Sequence, residues 1–492
     1  MYFKSTVRNS LAVFILGLIS GVAGYLFRIL LAHNLSVSDY GLFYSMFAFF
    51  AFFTVFVDAG LTQSVAKKIV ELELKKKYDQ IRSLVLASLS FQFIVSVILA
   101  IIFLILFPVL SAKVFKTENF TIFLLLVLWF LTLPIDMFFK YLFLGFHYVK
   151  MYSSIDPLKT VLTCIFVAIM FSLGIGTTTP FIAYAAINVL ILIIFIPVLL
   201  RFFPHLLSLN FKLAINLFKP VLIYGWYLAF AGLAWALITY TDTMMISYFR
   251  NLTEVGLYQI AMPLANTLLY LIGALNIVSY PLFSKLNAQK ESNTIQTGIT
   301  LLYSYLFVGM IPLALIMFTF PDLVITVLFG AKFVEAATAL RILSVGALFF
   351  SLASFNAGLL SATGRAKTVA RMAAVTAILN VILNALMIPP YGFVGASLAS
   401  AISFTFFLIA SLIVVKKEYE IHMPYLKWIM NFIVGLLTIG VIWWLKGILN
   451  LNVWLEVFAT LIPAGIFYVA LLIIFKVINI KELLAMIKQV IR

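Results

Sequence analysis

A chain of 492 residues that is 64% hydrophobic and 10% charged lies far from the roughly 25% charged content of soluble domains. A net charge of +16 would suggest nucleic acid in a soluble protein, but the basic residues gather in short loops between apolar runs, which excludes that partner. The single cysteine, Cys164, lies inside an apolar run and excludes an intramolecular disulfide or a thiolate metal cluster.

The N-terminal "MYFKSTVRNS" precedes an apolar run of about 21 residues, longer than the roughly 7 to 15 of a secretory signal, and predicts a retained first span. Apolar runs then recur to the C-terminus, each long enough at about 1.5 Å per residue to cross a hydrocarbon core of about 30 Å. Stretches such as "VSVILAIIFLILF" do not alternate as barrel strands do. The expected fold is an all-α polytopic membrane protein with about fourteen transmembrane helices. They are placed near 11–31, 40–66, 83–107, 120–143, 158–176, 180–200, 220–242, 256–281, 298–320, 336–359, 372–389, 395–415, 428–445 and 454–475. With both termini cytoplasmic, most Lys and Arg fall inside, against Lys113, Lys116, Arg250, Lys332 and Lys446 outside. The links "KKIVELELKKKYDQIR" and "RFFPHLLSLNFKLAINLFK" and the tail "KVINIKELLAMIKQVIR" read as amphipathic helices on the inner leaflet. No G-x-x-x-x-G-K-[ST] occurs, so transport driven by an ATPase in this chain is excluded.

"NLSVSDYGLFYS" at Asn34 has a near copy, "NLTEVGLYQI", at Asn251. "FLGFHYVK" with Gly145 corresponds to "SATGRAK" with Gly364, and "AIN" at 186 to "AIS" at 401, all about 215 to 219 residues apart. The chain therefore divides into a six-helix bundle over 1–210, its repeat over 211–427, and two extra helices with an amphipathic tail over 428–492. Six spans per copy make the repeats parallel, the plan of carriers that rock about a central cavity.

Ionisable groups within spans are candidates for function. Arg28 lies in the outer third of the first span, where it either snorkels to the surface or binds anionic phosphate through its planar guanidinium. Arg341, near the outer end of its span, has the same two options. Asp58 either pairs with Lys67 or Lys68, caps the following "GLTQ", or takes a proton or cation. Asp242 either meets interfacial water or serves as an ion site. Asp136 and Lys140 stand at i and i+4, which predicts a salt bridge within one helix. Asn380 and Asn384 share one helix face and are expected to pack helices through hydrogen bonds. The histidines His33, His147, His205 and His422 are scattered, so no metal site and no cofactor is expected. The many Phe and Tyr read as packing and lipid-facing residues.

The stretch "LLSATGRAKTVARMAAVTAILNVILNALMIPPYGFVGASLASAIS" over 359–403 resembles the polysaccharide-export branch of the multidrug/oligosaccharidyl-lipid/polysaccharide exporter superfamily, the Wzx-type or O-antigen flippases. "LSVSDYGLFY", "DAGL", "DTMMISYF", "EVGLYQIA" and "YPLFSKL" follow the family's order. The resemblance implies a multi-pass flippase of the cell membrane, not an enzyme. It would carry a polyprenyl- or dolichyl-(pyro)phosphate-linked glycan to the outer leaflet by alternating access, with H+ or Na+ as a coupling ion and glycan-assembly enzymes as further partners. Related flippases carry cavity arginines on their first helix, which adds weight to the phosphate role of Arg28. A multidrug exporter of organic cations is the alternative. A membrane glycosyltransferase, polymerase or ligase is remote, because the longest external loops, "PVLSAKVFKTEN" and "PDLVITVLFGAKFVEA", hold few acids.

Overall fold

The computed structural model describes residues 2–202, 211–419, 423–449 and 453–478. In chain order the helices are α1 (Tyr2–Asn34), α2 (Val37–Asp58), α3 (Leu61–Leu74), α4 (Tyr78–Leu110), α5 (Phe120–Gly145), α6 (Val149–Ser172), α7 (Thr179–Phe202) and α8 (Phe211–Phe249). They continue with α9 (Leu252–Ala265), α10 (Thr267–Ala288), α11 (Ser292–Thr319), α12 (Pro321–Phe329), α13 (Ala337–Ala362), α14 (Ala366–Tyr419), α15 (Tyr425–Ile448) and α16 (Val453–Ile474). No strand occurs among the described residues, and the protein is an all-α, multi-pass membrane protein. Twelve of the described helical segments are long and apolar enough to cross a membrane, and Phe458–Ile474 is a shorter apolar helix.

Helix breaks depart from the expected spans for local reasons. The 54 residues of α14 would run roughly 80 Å if straight, far beyond one crossing. Pro389 and Pro390 precede a turn at Gly392, whose φ of 58° and ψ of −139° suit a residue without Cβ. The run expected as one span over 40–66 is divided after Asp58 by left-handed Ala59 and Gly60. The surface helix expected over 201–219 is, from Phe211 onward, the start of the 39-residue α8, and 203–210 lie outside the described residues. The amphipathic tail lies outside them from residue 479. The turn copies also shift register: His147 (φ 64°) takes the left-handed place that Gly364 (φ 85°) takes in the second copy, not Gly145. The bonds Tyr148 N to Phe143 O and Arg365 N to Leu360 O then match.

By packing, the chain forms two compact units. The first comprises Met1–Ile260, Thr326–Val334 and Ala373–Ala399. Its inner core joins Leu61, Ile69, Leu84, Phe138, Phe143 and Ile191 from α3, α4, α5 and α7. Small residues let its helices approach: a Cβ on Gly145 would lie 3.2 Å from the Ala66 backbone. Polar bonds add direction, as Ser20 Oγ to Thr160 Oγ1 at 3.2 Å between α1 and α6. Ile98, Ile101 and Ile105 of α4 stay exposed, the surface expected to face lipid tails.

The second unit comprises Ala261–Ile325, Glu335–Met372 and Ser400–Arg492. Gly346 of α13 sits against Ala401, where an added Cβ would be 2.9 Å from Cα. Buried Asn356 accepts from the Tyr303 hydroxyl at 2.5 Å and donates to Ser411 Oγ at 2.9 Å, tying α11, α13 and α14. Between α15 and α16 the Tyr468 hydroxyl lies 2.5 Å from Asn431 Oδ1. These amide bonds direct packing where the hydrophobic effect does not discriminate between helix and lipid.

Candidate functional site

The candidate site lies in the first unit, around Arg28. The α1 helix carries its guanidinium to within 4.4 Å of the Tyr44 ring centroid, and Nη1 donates to the Gln259 carbonyl at 3.2 Å. Tyr40 and Tyr44, four residues apart on α2, place their rings 4.8 Å apart. Tyr184 of α7 packs 5.7 Å from Phe27 and 5.7 Å from Trp129 of α5. Trp129 Nε1 is buried with no partner at hydrogen-bond geometry, while the Tyr40 hydroxyl faces the Arg28 guanidinium and Tyr44. Orphaned buried polar groups are costly and call for a partner such as an ordered water or a ligand group. A buried guanidinium, tyrosine hydroxyls beside it and an unpartnered indole N–H suit a phosphorylated, hydroxyl-rich headgroup. The aromatic faces suit a sugar ring.

Composition, under which the aromatics of a membrane chain read as packing, does not mark Tyr40, Tyr44, Trp129, Tyr184 or Gln259. A signal was present in "DYGLFYS": tyrosines rather than phenylalanines at i and i+4, on a span with few other polar groups.

Next to this site lies a second polar cluster. Asp242 of α8 is 2% exposed, accepts from the Tyr258 hydroxyl, and accepts from Asn384 Nδ2 at 2.5 Å. Asn384 Nδ2 also lies 3.1 Å from Asn380 Oδ1, so the expected amide pair of α14 points at the acid of α8. The Asn384 Oδ1 oxygen is buried without a partner. Tyr258 and Gln259 are consecutive on α9, one bonded to Asp242 and the other to Arg28. Gln259 Nε2 further donates to Thr243 Oγ1 at 2.6 Å. The two clusters are thus joined through one turn of α9.

The remaining charges are placed otherwise. Asp58 caps α3: its Oδ1 accepts from Thr62 N at 3.1 Å and from Gln92 Nε2 at 3.0 Å. It makes no pair with the lysines proposed for it, since Lys68 bonds Glu71 at 2.6 Å and Lys67 lies over Tyr224. The expected Asp136–Lys140 bridge is replaced by two bridges between α5 and α6. Lys159 Nζ meets Asp136 at 2.6 Å, and Lys140 pairs with Asp156. Asp136 is 8% exposed and needs a cation that stays with it in the interior. Lys159 from the facing helix meets that need and also bonds Asn188, which donates to Thr132 Oγ1 at 2.7 Å. Arg341 belongs to the second unit, where its Nη2 pairs with Asp322 at 2.8 Å with both side chains partly exposed. Among the described residues no group of three or more His, Cys, Asp or Glu is placed to hold a metal ion.

Comparison with known proteins adds the family. The sequence family described as "Polysaccharide biosynthesis protein" matches residues 6–287. The chain is 26% identical over 488 residues to an uncharacterized membrane protein, MJ1068, of Methanocaldococcus jannaschii, covering 95% of each. It is 22% identical over 270 residues to the probable low-salt glycan biosynthesis flippase Agl15 of Haloferax volcanii, an alignment covering 55% of this chain and 56% of that one. Among solved structures, lipid II flippase MurJ in an inward closed conformation has a TM-score of 0.67 at 16% identity, over 95% of this chain and 98% of that chain. An inward-facing multidrug resistance MATE transporter has a TM-score of 0.63 at 13% identity, over 82% and 94%. These two likenesses concern the fold. The match over more than half of its length shows that the chain belongs to the polysaccharide biosynthesis protein family.

Proposed function

We propose that the protein is a Wzx-type flippase that carries a polyprenyl- or dolichyl-(pyro)phosphate-linked glycan from the cytoplasmic to the outer leaflet by alternating access. The chain crosses the membrane fourteen times in this reading, with α14 crossing twice and α16 once. Both termini are cytoplasmic, and the two six-helix repeats over 1–210 and 211–427 rock about the site. The observation that carries the reading is Arg28, buried beside Tyr40, Tyr44 and Tyr184, with the indole N–H of Trp129 next to Tyr184 unmet. Desolvation of the headgroup is the main barrier to unassisted flipping, and this lining replaces part of its water. A guanidinium facing the headgroup opposes an organic cation, which argues against the multidrug alternative. Arg341 is neutralised by Asp322, so Arg28 alone is assigned to phosphate.

For coupling, the acid at Asp242 and the unmet Asn384 oxygen form an oxygen-rich cluster suited to H+ or Na+. Tyr258 and Gln259 carry its state to Arg28. Asp58, committed to the cap of α3, drops out of this role. The test is ligand-induced stabilisation of the purified protein. A polyprenyl-pyrophosphate-linked oligosaccharide at about 100 times its Kd should add about 2.7 kcal/mol, read as a raised Tm. A cationic dye should add nothing. The reverse pattern would overturn the assignment in favour of the multidrug exporter.

A further inference from the structure

Two lysines of loops far apart in sequence perform the same act on the first hairpin of each sequence copy. Lys116, between α4 and α5, donates from Nζ to the carbonyl of Arg250, the residue after α8. Lys332, in the short 3-10 turn Ala331–Ala336 before α13, donates to the carbonyl of Leu35, the residue after α1, at 2.7 Å. Donors and acceptors are both displaced by about 215 residues, the interval of the sequence repeat. Each lysine comes from one copy and its helix end from the other. All four residues lie in the first unit. Each ammonium sits at a helix C-terminus, where the aligned peptide dipoles favour positive charge.

Further contacts press the same loops onto the hairpins. Ser247 Oγ donates to Val114 O at 2.5 Å, and His33 Nε2 lies 3.2 Å from Leu328 O. The Phe333 ring stands edge-on to Tyr40 at 5.4 Å, directly over the wall of the Arg28 site. Below the lysines, Ser45 and Ser247 share a hydrogen bond of 2.6 Å and are fully buried.

We infer that Lys116 and Lys332 form a reciprocal latch on the outer face, and that the site opens outward only when both ammonium groups leave their helix ends. The inference rests on the alternating-access reading and assigns its outer gate. The test uses a Cys164→Ser background with Ser45→Cys as reporter, labelled from outside by a membrane-impermeant maleimide with no glycan lipid present. Lys116→Met and Lys332→Met should each speed labelling about two- to fivefold, and the double variant about tenfold. Lys→Arg at both positions, which keeps the charge and donor, should restore the slow rate. An unchanged rate in the double Met variant overturns the latch. So does equal acceleration by Lys113→Met, which would show a general effect of loop charge. Because no substrate is used, a latch that fails this test leaves the substrate assignment standing, and a failed flipping assay leaves the latch standing.

Discussion

Replacement of Arg28 by Ala is expected to leave the protein inserted and folded while slowing translocation of a lipid-linked glycan by at least about a hundredfold. The guanidinium bonds the Gln259 carbonyl, stacks on Tyr44 and faces the Tyr40 hydroxyl. Its other N–H groups are available to a phosphate, and two charge-assisted bonds contribute about 3 kcal/mol or more. Losing that is a factor of about a hundred in affinity or rate. Arg28→Lys should retain a small part of the activity, because an ammonium keeps the charge without the two-pronged geometry. Leaflet-resolved accessibility of a labelled lipid, with protein amount and Tm measured alongside, checks both variants. Full activity in Arg28→Ala would remove this residue from the site.

The second large effect is expected at Gly41 and Gly256, the glycines of the two copied hairpins. A Cβ on Gly41 would fall onto the carbonyl oxygen of Leu252 and within 2.8 Å of the Gly256 nitrogen. A Cβ on Gly256 would fall onto the carbonyl oxygen of Val37, with Val37 Cγ1 at 3.1 Å. The contact is reciprocal, since each glycine meets the carbonyl four residues before the other. Close approach, not backbone conformation, demands glycine here: neither residue has positive φ. Gly41→Ala pushes α2 and α9 apart against backbone atoms that have nowhere to go, at a cost of about 1–3 kcal/mol or more. A lowered Tm together with faster outside labelling of Ser45→Cys is the expected outcome. Behaviour like the parent protein in both measurements would show that the crossing is not a closed contact in the membrane.

How far the sequence could be read follows the range of each signal. Spans, the hairpin copy around Gly41 and Gly256, and the shared face of Asn380 and Asn384 are local patterns, so periodicity and composition expose them. Partners across helices are not local. Asp136 chooses Lys159 on α6 over Lys140 on its own helix, a choice that depends on how α5 and α6 pack. Tyr258 reaches Asp242 across the turn between α8 and α9, and nothing in "EVGLYQIA" marks that direction. The division of the second expected span needed Ala59 in a left-handed conformation, which an alanine does not advertise. The same holds for the latch. Lys116 and Lys332 look like ordinary loop charges until the fold lays each on the other copy's helix end.

Translocation itself is the most direct test of the central claim. The purified protein in liposomes, supplied with a fluorescent polyprenyl-pyrophosphate-linked oligosaccharide in one leaflet, is assayed by the fraction that a reagent confined to the other side can reach. The account predicts protein-dependent transfer of the glycan lipid, lost in Arg28→Ala, with no transport of a cationic dye by the same liposomes. Dye transport without glycan-lipid transfer, from protein that is folded and inserted, would contradict it.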